Sequence, residues 1–127
     1  MTEFSTTARS QVRQIASRGC YDRETIYQIV DEAPVCHVGF AVGEQPYVLP
    51  ALHARNGDEL LLHGAPGSRL IQHVQAGHPV CLSFALFDGW VLGTAACSHS
   101  MNYRSAVLFG RGRLVESNQE KLRAFEL

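Results

Sequence analysis

Asn56-Gly57 constrains this chain more than any other pair of residues in it. It stands between the β-favouring run Tyr47 to Arg55 and the triplet Leu60, Leu61 and Leu62. It reads as a two-residue hairpin turn, because both turn positions take φ > 0 and Asn and Gly do so at least cost. Strands joined that way must be adjacent and antiparallel. The same alternation of apolar run and turn signal continues on both sides. Val35 to Val42 closes on Gly43-Glu44-Gln45-Pro46, and Val80 to Phe87 meets Trp90 to Cys97 around Asp88-Gly89. Tyr103 to Val115 reads as a last long strand, bent at Gly110 or Gly112. The spacing predicts six strands joined mainly by hairpins, which argues for an antiparallel sheet closed into a small barrel and against a parallel α/β fold.

Two short helices flank these strands. Asp22 is a good N-cap, Tyr21 can staple onto Ile26, and Ile26, Ile29, Val30 and Ala33 keep a helical rhythm that Pro34 ends. Ser68 can cap a second helix through Leu70, Ile71 and Val74, closed by Gly77. Met1 to Gly19 is Ser/Thr-rich and weakly periodic, an arm lying across the surface or a partner. Asn118 opens a helical segment that has only begun at Leu127. Pro50 falls inside the second strand, where a missing N–H confines it to an edge or a bulge.

Composition removes several function classes. At 127 residues the chain is one domain, 1–127, with an arm over about 1–19. The net charge of −1 carries no basic block, so nucleic-acid binding lacks an electrostatic footing. No apolar run approaches the ~20 residues that span a bilayer, so no membrane role is expected. Met1 to Ser10 has neither a charged leader nor a hydrophobic segment, which sets the expected location as cytoplasmic. Cys20, Cys36, Cys81 and Cys97 form no CxxC pair and are expected to be reduced thiols, the last three acting as small hydrophobes.

The chemistry concentrates in two clusters. In the first, His63-Gly64-Ala65-Pro66-Gly67-Ser68-Arg69, a flexible loop leads into a helix start. Free amides and a permanently charged guanidinium there suit a phosphate. The plainer reading makes Ser68 an N-cap, Arg69 a solvated side chain and His63 a strand-end residue satisfied by a turn carbonyl. In the second, His99-Ser100-Met101-Asn102-Tyr103-Arg104-Ser105, strand alternation puts Tyr103 and Ser105 on one face and Arg104 on the other. Its plainer reading is an edge strand with a surface arginine. The six histidines lack HxxxH or HExxH spacing, so no metal is expected. GxSxG, GxxxxGK and GxGxxG motifs are all absent.

Arg18-Gly19 with Tyr21-Asp22, the run Val35 to Phe40, Leu62-His63-Gly64 with Ser68-Arg69, and His99 to Ser105 occur in that order. Together they resemble the flavin-nucleotide-binding branch of the pyridoxamine 5′-phosphate oxidase-like split-barrel family, over roughly Arg9 to the C-terminus. The resemblance implies a mainly β, six-stranded antiparallel split barrel with short flanking helices. It implies a homodimer with FMN at the interface. By position, His63, Ser68, Arg69 and Leu70 would line the ribityl-phosphate site. Val48, Pro50, Ala51 and Leu52 would run beside the isoalloxazine ring. Tyr103, Arg104 and Ser105 would complete the site, from the partner chain. Family members usually continue beyond the position of Leu127, which implies a truncated or short form. The phosphate-site lysine of true pyridoxamine phosphate oxidases has no counterpart, since Leu70 follows Ser68-Arg69, so vitamin B6 oxidation is not carried over. The expectation is an FMN-dependent oxidoreductase acting on an unidentified small substrate, with no assigned catalytic residue. His53 and His99 are acid–base candidates by type alone. The alternative is a flavin- or haem-binding protein without catalysis, with His63, His99 or Met101 as an axial ligand.

Overall fold

Gly43 (φ 60) and Gly57 (φ 61) turn the chain at the two expected hairpins, the second one residue later than expected, at Gly57-Asp58, because Asn56 has no positive φ and stays in its strand opposite Glu59. In this computed structural model, which describes residues 2–115 and 119–120, they join strands β1 (Cys36–Val42), β2 (Gln45–Asn56) and β3 (Glu59–His63). Helix α1 (Arg23–Glu32) precedes them, and α2 (Arg69–Gln75), β4 (Pro79–Val91) and β5 (Ser100–Arg111) follow. The sheet order is β3-β2-β1-β4-β5.

Among the described residues the sheet has five strands, not the six expected, and it is not closed. The difference sits at Asp88-Gly89. Gly89 takes φ 144 inside β4, so the chain passes through it extended and continues to Val91 without turning back. The run after Val91 cannot extend the strand, because Gly93 curls back toward a short 3-10 turn at Ala96–Ser98. An added Cβ on Gly93 would stand 2.6 Å from Ser98 Cβ, so only glycine closes that loop. Cys97 is consequently exposed and is no small hydrophobe of the core. The last strand runs over Ser100–Arg111 and not Tyr103 to Val115. The helix expected from Asn118 falls outside the described residues except at 119 and 120.

The chain divides into two compact units, Met1–Ala33 with Phe84–Ala106, and Pro34–Ser83 with Val107–Leu127. In the first, Asp22 caps α1 as expected, its carboxylate accepting from the Thr25 N–H at 3.1 Å and the Thr25 hydroxyl at 2.9 Å. The arm folds over the start of α1: Phe4 N–H donates to Tyr21 O, and the Arg23 guanidinium lies 4.2 Å over the Phe4 ring. Tyr21 turns its hydroxyl to the arm, accepting from Val12 N–H at 2.8 Å. Ile29, Val30, Phe84 and Ala106 are buried in this unit.

The second unit is built on β1. Its register pairs Cys36, Val38 and Phe40 with Ala51, Leu49 and Tyr47 of β2. Val38 also faces Leu82 of β4. Residues opposed in a ladder share a face, so these side chains form the inner surface, with Cys36 and Val38 wholly buried. Helix α2 covers it: Leu70 and His73 are buried, and the His73 ring lies 4.6 Å from Phe40. His73 Nε2 donates to Pro79 O at 3.1 Å, which satisfies the buried imidazole. Burial pushes the Cys36 thiol pKa up, and its S–H donates to Ala51 O at 3.6 Å. No helix among the described residues is long and apolar enough to cross a membrane.

Candidate functional site

The outer face of β1 and β2 is the mirror of that register. His37 stands opposite Pro50 and Ser83, and Gly39 opposite Val48 and Cys81. Leu52 faces His63 of β3. Val48 and Leu52 are 66% and 60% exposed, so Val48, Pro50 and Leu52 form an uncovered apolar strip along β2. β3 pairs only with Leu52–Asn56, which leaves the flank of β2 beside Pro50 open, as a proline in a strand requires. Of the four β2 residues expected beside a ring, Val48, Pro50 and Leu52 lie on this face. Ala51 faces inward against Cys36, and its carbonyl takes the Cys36 thiol.

His63 ends β3 on the same outer face as Leu52, exposed and without a polar partner among the described residues. Gly64 follows so tightly against α2 that an added Cβ would stand 2.8 Å from Ile71 Cγ1. Ser68 is the N-cap of α2: its hydroxyl accepts from Ile71 N–H at 3.2 Å and keeps its own hydrogen to donate. Leu70 turns into the core. Arg69 is exposed, and its guanidinium lies 4.4 Å over the Tyr47 ring. Tyr47 stacks in turn on Phe40 at 5.4 Å. This seat fixes the position of the cation and engages its face, while no carboxylate among the described residues pairs with its edge. A guanidinium held by its face presents its N–H fork for an anion. Sequence reading missed Tyr47, because no local signal links positions so far apart.

Tyr103, Arg104 and Ser105 lie on β5 in the first unit. The Arg104 fork is occupied. Nε and Nη2 donate to the two oxygens of Asp88 at 3.0 and 3.1 Å, and Nη1 donates to Glu32 at 3.2 Å. The hydrogen bond from Arg104 is the main reason that the Asp88 carboxyl is held below its ordinary pKa. Tyr103 and Ser105 are exposed on the other face of the strand. Nearby, His99 Nδ1 accepts from Gly93 N–H at 3.0 Å. A neutral imidazole that accepts through Nδ1 carries its proton on Nε2 and has no second lone pair for a metal. Among the described residues no cluster of three or more His, Cys, Asp or Glu could hold a metal ion.

The family model described as pyridoxamine 5′-phosphate oxidase matches residues 22–127. Among solved structures, the flavocytochrome Anf3 of Azotobacter vinelandii is 33% identical with a TM-score of 0.83, covering 94% of this chain and 57% of its own. An FAD- and haem-binding protein of Mycobacterium smegmatis is 29% identical with a TM-score of 0.77, covering 84% and 52%. A protein of Bacteroides thetaiotaomicron described as a 5-nitroimidazole antibiotic resistance protein is 33% identical with a TM-score of 0.68, covering 83% and 63%. The chain thus spans little more than half the length of these structures. No curated protein matches it.

Proposed function

We propose a flavin-binding role on the premise that this chain belongs to the pyridoxamine 5′-phosphate oxidase family. The cofactor proposed is FMN, in a homodimer acting as an oxidoreductase on a small substrate. The observation that carries the reading is Arg69, seated on the inner-face ring of Tyr47 with its N–H fork unclaimed, beside the open flank of β2, around which a ligand would reach the uncovered strip Val48, Pro50 and Leu52 on the outer face of the same strand. Phosphate and planar ring are the two ends of FMN, joined by its ribityl chain, and these residues offer each end a matching surface. Arg69, with the Ser68 hydroxyl and His63, would hold the phosphate through charge-assisted hydrogen bonds. The apolar strip would exclude water from one side of the ring. When bound, the flavin supplies the electron transfer, and the protein supplies position, hydrogen bonding and shielding.

Tyr103, Arg104 and Ser105 are proposed to complete the site from the partner protomer. Arg104 can reach a cofactor only by loosening its hold on Asp88 and Glu32, whereas Tyr103 and Ser105 need no such release. The second reading, a flavin- or haem-binding protein without catalysis, is favoured by one relative named a flavocytochrome and another named for binding FAD and haem. In that reading His63 is the stronger axial candidate, since the Nδ1 lone pair of His99 is engaged by Gly93.

The test is a titration of the purified protein with FMN, FAD and haemin, followed by absorbance and fluorescence. FMN binding tighter than FAD supports the first reading. A Soret band with no flavin uptake supports the second, and tighter FAD binding overturns FMN as the cofactor.

A further inference from the structure

Glycine in the middle of a strand needs a reason, because it packs nothing and costs backbone entropy. The usual reasons are a left-handed backbone or a neighbour that leaves no room. Gly43 and Gly57 have the first reason, and Gly64 has the second. Gly39 of β1 has neither. Its φ lies outside the left-handed region, and an added Cβ would meet only Cys81 O at 3.4 Å, Tyr47 O at 3.9 Å and Cys81 Cβ at 4.0 Å, all ordinary contacts.

The missing side chain has a definite place. Gly39 lies on the outer face between Val48 of β2 and Cys81 of β4. Those two strands stand two inter-strand spacings apart, about 9.6 Å, so removing the side chain between them opens a slot with backbone as its floor. The exposed side chain of His37, two residues earlier on the same face, has no hydrogen bond, ion pair or ring contact among the described residues, so it leaves a polar group at one end of the slot. Val48, Pro50 and Leu52 border it with exposed apolar surface. A slot with a bare peptide floor, an apolar flank and a polar end suits a planar heteroaromatic ring.

We propose that Gly39 is the floor of the flavin-ring site, a position whose missing side chain serves the ligand and not the fold. The inference rests on the flavin reading above and adds to it the element that admits the ring. Gly39→Val is then a substitution that the fold accepts and the ligand does not. A β-branched residue suits a strand, so the ligand-free melting temperature should hold or rise. Overpacking by the added atoms should weaken FMN by about ten- to a hundredfold.

The experiment titrates the parent, Gly39→Ala, Gly39→Val and Arg69→Ala with FMN and with lumiflavin, the ring without its phosphate tail, and records each ligand-free melting temperature. The expected result is a graded loss of both ligands from Gly to Ala to Val at undiminished melting temperature. Arg69→Ala should lose FMN and keep lumiflavin. Unchanged FMN and lumiflavin affinity in Gly39→Val overturns the inference while leaving the flavin reading intact. A melting temperature that falls in step with binding from Gly to Ala to Val also overturns it, since the fold would then be what requires glycine. A parent that takes up neither ligand defeats the flavin reading and this inference together.

Discussion

Replacing Arg69 with alanine isolates the charge that the structure leaves unclaimed. Its guanidinium lies 4.4 Å over Tyr47 and is exposed, so the ligand-free fold loses little more than one exposed cation–π contact, about 0.5–1 kcal/mol. The loss to a bound phosphate is larger. One charge-assisted hydrogen bond contributes about 1.5–3 kcal/mol, and at 1.4 kcal/mol per tenfold that is about a 12- to 140-fold weaker FMN complex. A two-pronged contact would reach the upper end. Flavin fluorescence quenching measures the dissociation constant directly. Repeating the titration in increasing salt separates the phosphate term, which screening weakens, from the ring term, which it does not. Riboflavin serves as the internal control: lacking the phosphate, it should bind parent and Arg69→Ala alike. Equal FMN affinity in parent and variant would refute the assignment and move the phosphate elsewhere. Equal losses of FMN and riboflavin would show that Arg69 acts through Tyr47 and the packing beneath it.

Arg104→Ala should lower the melting temperature of the ligand-free protein, because it leaves Asp88 and Glu32 facing each other without their shared cation; an unchanged melting temperature would show that this clasp contributes nothing. The same contact sets a pH dependence. A carboxyl whose folded pKa lies below its unfolded value of about 3.9 stabilises the fold above that pH, and the contribution drains away as pH falls through the folded value. Asp88→Asn should therefore flatten the acid side of the stability curve below about pH 4, and parallel curves would refute it. With a thiol reagent under native conditions, Cys20 and Cys97 should react first and Cys36 only on unfolding, because it is buried and its pKa is raised. Trp90 and Leu92, 74% and 80% exposed, should be covered by self-association, and sedimentation showing a monomer that binds FMN would remove the dimer.

The features legible in the sequence are those whose cause is local. The Asp22 and Ser68 caps each act within three residues, and Gly43 and Gly57 turn the chain at the positions their conformational freedom suggests. Ser68 and Arg69 stand at the start of a helix as expected. Asp88-Gly89 misleads because the same dipeptide serves a hairpin or an extended passage, and only the surroundings decide which. Arg104 could be read as an edge cation or a cofactor ligand, yet its carboxylates lie 16 and 72 residues away in sequence. Arg69 on Tyr47 is equally non-local. The slot over Gly39 becomes visible only when β1 is seen between β2 and β4.

An apolar strip beside an open strand flank is a hazard, because the unpaired backbone invites another chain to extend the sheet. The proline in that flank answers the hazard. With no N–H at Pro50, the row of donors an incoming strand would need is interrupted where β3 no longer protects β2. Association through the edge is thereby discouraged, while the face of Val48, Pro50 and Leu52 stays available. The strand is thus built to be met broadside: it can accept a flat surface laid against it and still resist templating its own aggregation.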